Sequence, residues 1–430
     1  MDSMTRPIDF AMRLRDQILP LRSQTDVRNS WLQQRLERVI PELMEREGLD
    51  MWIVACREYN EDPVILSLLP QPVMSARRRM VLVFSRNPDG SVERLTVGRY
   101  GLGDFYEAAW NPDEESQEDA VKRVVSERDP RSIGIDVASE FAFGDGLSHN
   151  EYEWISGAMG TSLMDRTTSA ERMAVGWLER RTSPELAAYP SIVAMGHQII
   201  AEAFSRSVIQ PGVTTTDDVV WWMRQTMNDA GLMAWFPPTI DIQAAGEPSG
   251  GPGQHGTSRS TILPGDLLHC DMGFIYLGLA TDQQQLAYVL KPGETDAPEG
   301  LKAGLAAGNR FQDIHLENMV VGRSGNDVLR EVLTQSTSEG IKPSLYTHPL
   351  GYHGHAAGPV IGLWDHQEGV PGRGDYEVYD DTAYSIEFNV RADVPEWGSQ
   401  EVVFALEEDA ALSDGKMWWL DGRQTRFHLI

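Results

Sequence analysis

Cysteine is nearly absent. The chain holds two, Cys56 and Cys270, too few for a disulfide framework. Both read as small buried apolar side chains. No run of 18 or more apolar residues occurs, so no helical membrane span is expected. Residues 1–19 carry charges throughout and lack the apolar stretch of a secretory signal, so the expected location is cytoplasmic. Positive charge is also scarce. Lys and Arg number 37 against 64 Asp and Glu, a net charge of −27. Phosphate affinity depends on Lys and Arg, so nucleic acids and anionic membranes are poor partners. Repeats and low-complexity runs are missing. What remains is ordinary globular composition, 41% hydrophobic and 23% charged over 430 residues. That is enough chain for two domains, each with its own core.

The first part alternates helix and strand. Trp31, Leu32, Leu36, Val39, Ile40, Leu43 and Met44 recur at helical spacing, with Gly48 placed as a C-terminal cap and Pro41 as an interruption. Residues 51–56 (MWIVAC), 81–84 and 133–137 read as strands, and 114–127 as helix. This predicts an α/β domain over 1–172 and a second domain over 173–430. The run Arg180-Arg181-Thr182-Ser183-Pro184-Glu185 marks the boundary, with Ser183 and Pro184 starting a helix that Pro190 should kink or delay. A second helix should start near Thr216 and stop at Gly231. Residues 246–256 read as a Gly/Pro-rich loop, and from Leu263 the pattern becomes α+β.

Seven of the ten histidines fall between His255 and His366, about a quarter of the chain. Histidines clustered near carboxylates suggest a metal or acid–base site. The segment from His269 to Asp282 reads as strand, glycine turn, strand, which can aim Asp271 and Asp282 at one point. Two such carboxylates repel unless protonated or bridged by cations. Glu387 and Glu401 each lie in strand-like sequence, where an unpaired charge is costly.

This ordered set resembles the metal site of the pita-bread metallopeptidases: Asp271, an 11-residue step to Asp282, a His-rich loop, then Glu387 and Glu401. That family includes methionine aminopeptidase, aminopeptidase P, prolidase and creatinase. Residues 264–268 (PGDLL) match the family's lead-in to the first Asp. The two-domain layout is similar to the Xaa-Pro peptidase branch, which implies a creatinase-like N-terminal α/β domain before an α+β pita-bread catalytic domain. The resemblance implies two divalent cations, Mn or Co first, with Zn or Fe also compatible, held by Asp271, Asp282, one loop histidine, Glu387 and Glu401. Four carboxylates and one imidazole make a hard, oxygen-rich donor set suited to such ions. In the loop His348-Pro-Leu-Gly-Tyr-His353-Gly-His355, the downstream HxxG points to His355 as the ligand and the upstream one to His353; His355 is preferred. His255, His348 and His366 match the histidines that bind substrate and stabilise the tetrahedral intermediate.

The activity so implied is an Xaa-Pro aminopeptidase or dipeptidase. By that resemblance, a hydroxide shared by the cations would attack the peptide carbonyl, with Glu387 taking and returning the proton. The resemblance also implies a small peptide substrate with proline at its second position and a homodimeric enzyme. Two alternatives stand beside this. One is a creatinase-like or ectoine-hydrolase-like enzyme cleaving a non-peptide C–N bond, suggested by the HxxGxxxHxxG loop spacing. The other is an inactive peptide-binding member of the fold. The chain also departs from the family pattern, because Gln283-Gln284-Gln285 follows Asp282 where many members carry an Arg. His269 reads as a packed core histidine, with support of the ligands as the alternative, and His315 as structural. Arg391 reads as a solvated surface residue, with binding of a substrate carboxylate as the alternative. Trp235-Phe236-Pro237-Pro238 either lines an apolar pocket or packs a turn.

Overall fold

A computed structural model describes residues 6–247 and 257–430. The chain divides into two compact units, 20–182 and a second formed by 1–19 with 183–430. The division falls ten residues beyond the expected 172, at Ser183, where a helix begins. The first helix, Arg6–Arg15, belongs with the second unit, where the Phe10 ring lies 5.8 Å from Trp222.

In the unit 20–182, the strand Met51–Arg57 runs antiparallel to Arg79–Arg86 and parallel to Ile133–Ile135, within a six-stranded sheet. Alternation sends Met51, Ile53 and Ala55 to one face. There they pack with Ala120, Val121, Val124 and Val125 of the helix Gln117–Arg128. Trp52 faces the other way, stacks on Phe84 and donates its indole N–H to buried Asp136 at 2.7 Å. The expected helix over 31–44 forms, with a π-helical turn at Arg35–Val39 and Pro41 in the first turn of the piece that follows. Both cysteines are buried and free.

The unit 183–430 is built on a large mixed sheet. Its strands run in the order Lys342–Leu345, Thr382–Val394, Gln400–Ser413, Gln283–Tyr288, Leu267–Met272, Thr239–Gln243, and His348–Leu350 also pairs with Thr382–Val394. The hairpin of Thr382–Val394 and Gln400–Ser413 sorts its residues by parity. Ile386, Phe388, Val390, Phe404 and Leu406 join the core beneath the helices, and Ser385, Glu387, Glu407 and Asp409 take the opposite face. The helix Glu299–Asn318 lies close on the apolar face because two of its residues lack side chains. A Cβ on Gly304 would sit 2.1 Å from the Phe404 ring, and one on Gly308 would be 2.8 Å from Leu406. His315 on this helix is fully buried, and burial lowers its pKa to about 3, which fits a neutral packing role. The helix Ser183–Ala203 runs through Pro190 unbroken, and Thr216–Ala230 starts at a Thr215/Asp218 capping box and ends at left-handed Gly231.

One charge sits on the core face. Glu408 is buried, and His197 meets it with Nε2 at 2.7 Å while its Nδ1 reaches Asp421 at 2.8 Å. Burial disfavours the imidazolium, but the two carboxylates outweigh it and raise the His197 pKa to about 9 from 6.5. A folded-state pKa above the unfolded one gives stability that is complete below about pH 6.5 and lost as pH rises through about 9. Thermal melts of the wild type should therefore drop between pH 7 and 9.5 by up to about 3 kcal/mol more than those of His197→Gln. Parallel pH profiles for the two proteins would count against this pair.

Candidate metal centre

The polar face of the sheet carries a row of aligned side chains. Asp271 pairs with Gln284 on the next strand, Gln284 with Glu407, and Glu407 with Glu387. Because paired residues in a ladder share a face, four chain segments bring these groups side by side. Asp282 lies two residues before Gln284 on the same face, and its backbone N–H donates to Asp409 at 3.3 Å. The hairpin that delivers Asp271 and Asp282 closes at Leu277-Gly278, both at positive φ (54° and 84°), as a tight two-residue turn requires.

His348 reaches the row from the neighbouring strand, where it pairs with Ser385. Its Nδ1–H donates to the Pro349 carbonyl at 3.0 Å, which turns Nε2 toward the acids. Nε2 lies 3.3 Å from Glu407, 3.6 Å from Asp282 and 3.7 Å from Glu387. His355 stands over His348, with ring centroids 4.6 Å apart and planes at 85°. Three overlapping donor sets result: Asp282, His348 and His355; His348, Glu387 and Glu407; Asp271, Asp282 and Glu407.

Crowding shapes the protonation of these groups. Burial, followed by the charge of Glu407, raises the pKa of Asp271 to about 8 and lifts Asp282 and Glu387 well above the carboxylate range. His348 is also buried, yet Asp282 and Glu407 hold it protonated well above the ordinary imidazole range. Burial and the neighbouring His348 push the His355 pKa down. Asp271 Oδ1 and Asp282 Oδ1 are buried without a hydrogen-bond partner, and His348 Nε2 has only its ion-pair contacts with the acids. Other buried side chains share such a deficit, but these three atoms fall within one cluster of acids and histidine, which a cation-binding pocket accounts for. The donor set therefore fits divalent cations.

An aromatic wall borders the cluster. Phe236 meets Trp235 at 4.4 Å, and Trp235 meets His355 at 5.2 Å. The Trp235 indole N–H donates to the Thr281 carbonyl at 2.9 Å, next to Asp282. A Cβ on Gly354 would fall 2.0 Å from the Trp235 ring, and one on Gly273 would fall 2.2 Å from its Nε1. The wall thus links both loops that carry site residues.

The expected site differs from the observed one at three points. Glu401 is not with the other acids. It opens its strand opposite Asp393, pairs with Lys342 at 3.0 Å and with Arg391 at 3.5 Å, and is 41% exposed. Glu407, six residues on, faces Glu387 instead. Its signal was the triplet Glu407-Glu408-Asp409 inside the otherwise apolar run from Val402 to Leu412. Of the loop histidines, His348 lies nearest the acids, because it is in the strand paired to Ser385, and the expected His355, in the loop beyond, joins it and Asp282 in one donor set. His353 is half-buried, and its carbonyl accepts from the Gly351 N–H. His366 sits in an exposed turn with its Nδ1 3.0 Å from Asp365, outside the donor sets. His255 lies outside the described residues. His269 is buried behind the row, against Gln284 at 2.9 Å.

A family model described as metallopeptidase family M24 matches residues 192–403, which contain every clustered residue except Glu407. By that match, the second unit is a family M24 metallopeptidase domain. No curated protein matches the chain by sequence. Solved structures share the two-domain fold over nearly the whole chain. An X-Pro aminopeptidase from Thermotoga maritima is 16% identical, with a TM-score of 0.63 over 90% of this chain and 99% of that one. An Xaa-Pro dipeptidase from Bacillus anthracis is 17% identical, with a TM-score of 0.56 over 93% and 99%. A His243Ala form of Escherichia coli aminopeptidase P is 11% identical, with a TM-score of 0.59 over 91% and 96%. At these identities the likeness shows the creatinase-like N-terminal domain and pita-bread architecture. Among the described residues, no helix of the M24 domain or its partner unit is long and apolar enough to cross a membrane.

Two outcomes follow for the M24 domain. Glu407→Gln should weaken Mn binding at least 100-fold by calorimetry, while Glu401→Gln should leave it within about threefold. The reverse ranking would restore Glu401 to the site. Because cations must displace the protons that Asp271, Asp282, Glu387 and His348 keep, the Mn Kd should tighten at least tenfold per unit from pH 6 to 8. A flat profile would exclude Asp271 as a ligand.

Proposed function

We propose that the protein is a divalent-metal-dependent peptidase that cleaves at Xaa-Pro, as an aminopeptidase or a dipeptidase. The observation that carries this reading is the buried set of Asp271, Asp282, His348, Glu387 and Glu407, with two orphaned carboxylate oxygens turned inward. These five residues would hold two cations, with Mn or Co suiting the oxygen-rich set. Cations held there supply Lewis acidity, which acidifies a water and polarises a carbonyl. The names of the similar solved structures support the substrate class.

Each side chain has a separable part. Glu387 keeps one oxygen on Gln284 and leaves Oε2 to accept and return a proton. His355, kept neutral by burial and by His348, stands at the mouth of the cluster and donates to the substrate carbonyl oxygen as charge develops there. Trp235 and Phe236 form an apolar wall beside it that suits a proline ring.

The test is a substrate profile of the Mn-loaded protein. Xaa-Pro dipeptides and longer Xaa-Pro peptides should be cleaved, Xaa-Ala controls much more slowly, and chelation should abolish turnover. His355→Ala should lower kcat about 10²–10⁴-fold with Mn affinity intact, whereas His348→Ala should lose both. An Mn-loaded protein that cleaves no peptide but turns over amidines would favour the non-peptide C–N hydrolase.

A further inference from the structure

Gln284 lies at the centre of the carboxylate row, between Asp271 and Glu407, and has no place among the donor sets. Its side-chain NH2 donates to Glu387 Oε1 at 2.6 Å and to Glu407 Oε2 at 2.7 Å. Both amide hydrogens are therefore spent on two different buried carboxylates. Its Oε1 faces His269 Nε2 at 2.9 Å, and His269 Nδ1 in turn lies 3.5 Å from Asp241. This fixes which end of the amide points where. A flipped amide would aim its oxygen at two carboxylates and its NH2 at an imidazole N–H, losing all three hydrogen bonds.

The two contacts also sort the carboxylate oxygens. With Glu387 Oε1 and Glu407 Oε2 taken, Glu387 Oε2 and Glu407 Oε1 are the atoms left beside His348 Nε2, at 3.7 and 3.3 Å. Ser385 steadies the second of these, donating to Glu407 Oε1 at 2.6 Å. Strand pairing alone would leave the ends of both glutamates free to rotate. The amide holds both rotations at once, and it offsets part of the repulsion between two acids in a dry site without adding a charge.

We infer that Gln284 is a positioning residue that presets Glu387 and Glu407 for cation binding and keeps their pairing tolerable when no cation is bound. The inference rests on the proposed metal-binding role of those glutamates. It predicts two linked effects of losing the amide. Cations would bind more weakly, because the carboxylates must be ordered on binding. The metal-free chain would be less stable, because two buried acids would lose their shared donor.

Isothermal titration of Mn into chelator-stripped wild type and Gln284→Met, with melts of both in the absence and presence of Mn, tests this. Expected for Gln284→Met are a Kd weakened about 10–100-fold, a metal-free Tm several degrees below wild type, and a smaller rise in Tm at the same excess of Mn. If Gln284→Met yields no folded metal-free protein, Gln284→Asn carries the same test, because it keeps the amide and loses the reach to span both acids. Kd within twofold of wild type, with unchanged metal-free Tm, overturns the inference. A wild type that binds no Mn, Co or Zn fails the metal-site reading itself, and the two failures are distinguishable in the same titrations.

Discussion

Everything at this centre depends on holding several carboxylates together away from water. Asp271, Asp282, Glu387 and Glu407 share one sheet face, and an isolated buried carboxylate is costly. The fold meets that cost in graded ways. Glu407 has a donor on each oxygen, from Ser385 and Gln284. Glu387 has one. Asp271 and Asp282 each keep a buried oxygen with none. The deficit therefore increases toward the two aspartates and His348 Nε2, and that gradient marks where a cation lowers the energy most.

Such a cluster needs a scaffold that cannot relax away from it. The same two strands that carry Glu387 and Glu407 press Phe388 and Phe404 into the core on their other side. The helix beneath is brought close by Gly304 and Gly308, so sliding the hairpin by one residue would exchange core and site faces together. The site is thus held by hydrophobic packing on the opposite face of the sheet. At its mouth a second constraint acts through Trp235, whose ring occupies space that side chains at Gly273 and Gly354 would need.

The fold class, the helix limits near Thr216 and Gly231 and the hairpin of Asp271 and Asp282 were legible because each has a local signal: period, cap or turn. Glu401 and Glu407 were not separable on such grounds. Both lie in one 14-residue strand, and which acid faces Glu387 is a question of register, set by pairing with a strand some twenty residues away. A triplet of acids inside an apolar strand was the cue available, and its physical meaning is that one face buries a site and the other a paired charge. That His348 stands among the candidate ligands beside His355 was missed for a related reason. Loop spacing was read against motif patterns, whereas the decisive fact is that His348 is strand-paired and His355 is not. The boundary near 172 followed the alternation of helix and strand, which carries no information that the first helix packs with a distant segment.

The glutamines after Asp282 show how charge is redistributed here. By the family resemblance, an Arg would be expected in that stretch, and this chain has none there. In this chain Gln285 instead donates to Glu408 at 2.9 Å, and the positive partner of Glu408 is His197, supplied by a helix. Gln283 donates to the Val193 carbonyl of that same helix at 3.2 Å, against Gly196, where no side chain could fit. The strand next to Asp282 is therefore neutral along its whole start. A neutral strand adds no repulsion to an incoming dication and leaves the net charge of the cluster more negative than an Arg neighbour would. It also moves the compensating charge of the core face onto a group that titrates, so stability depends on pH through His197 as well.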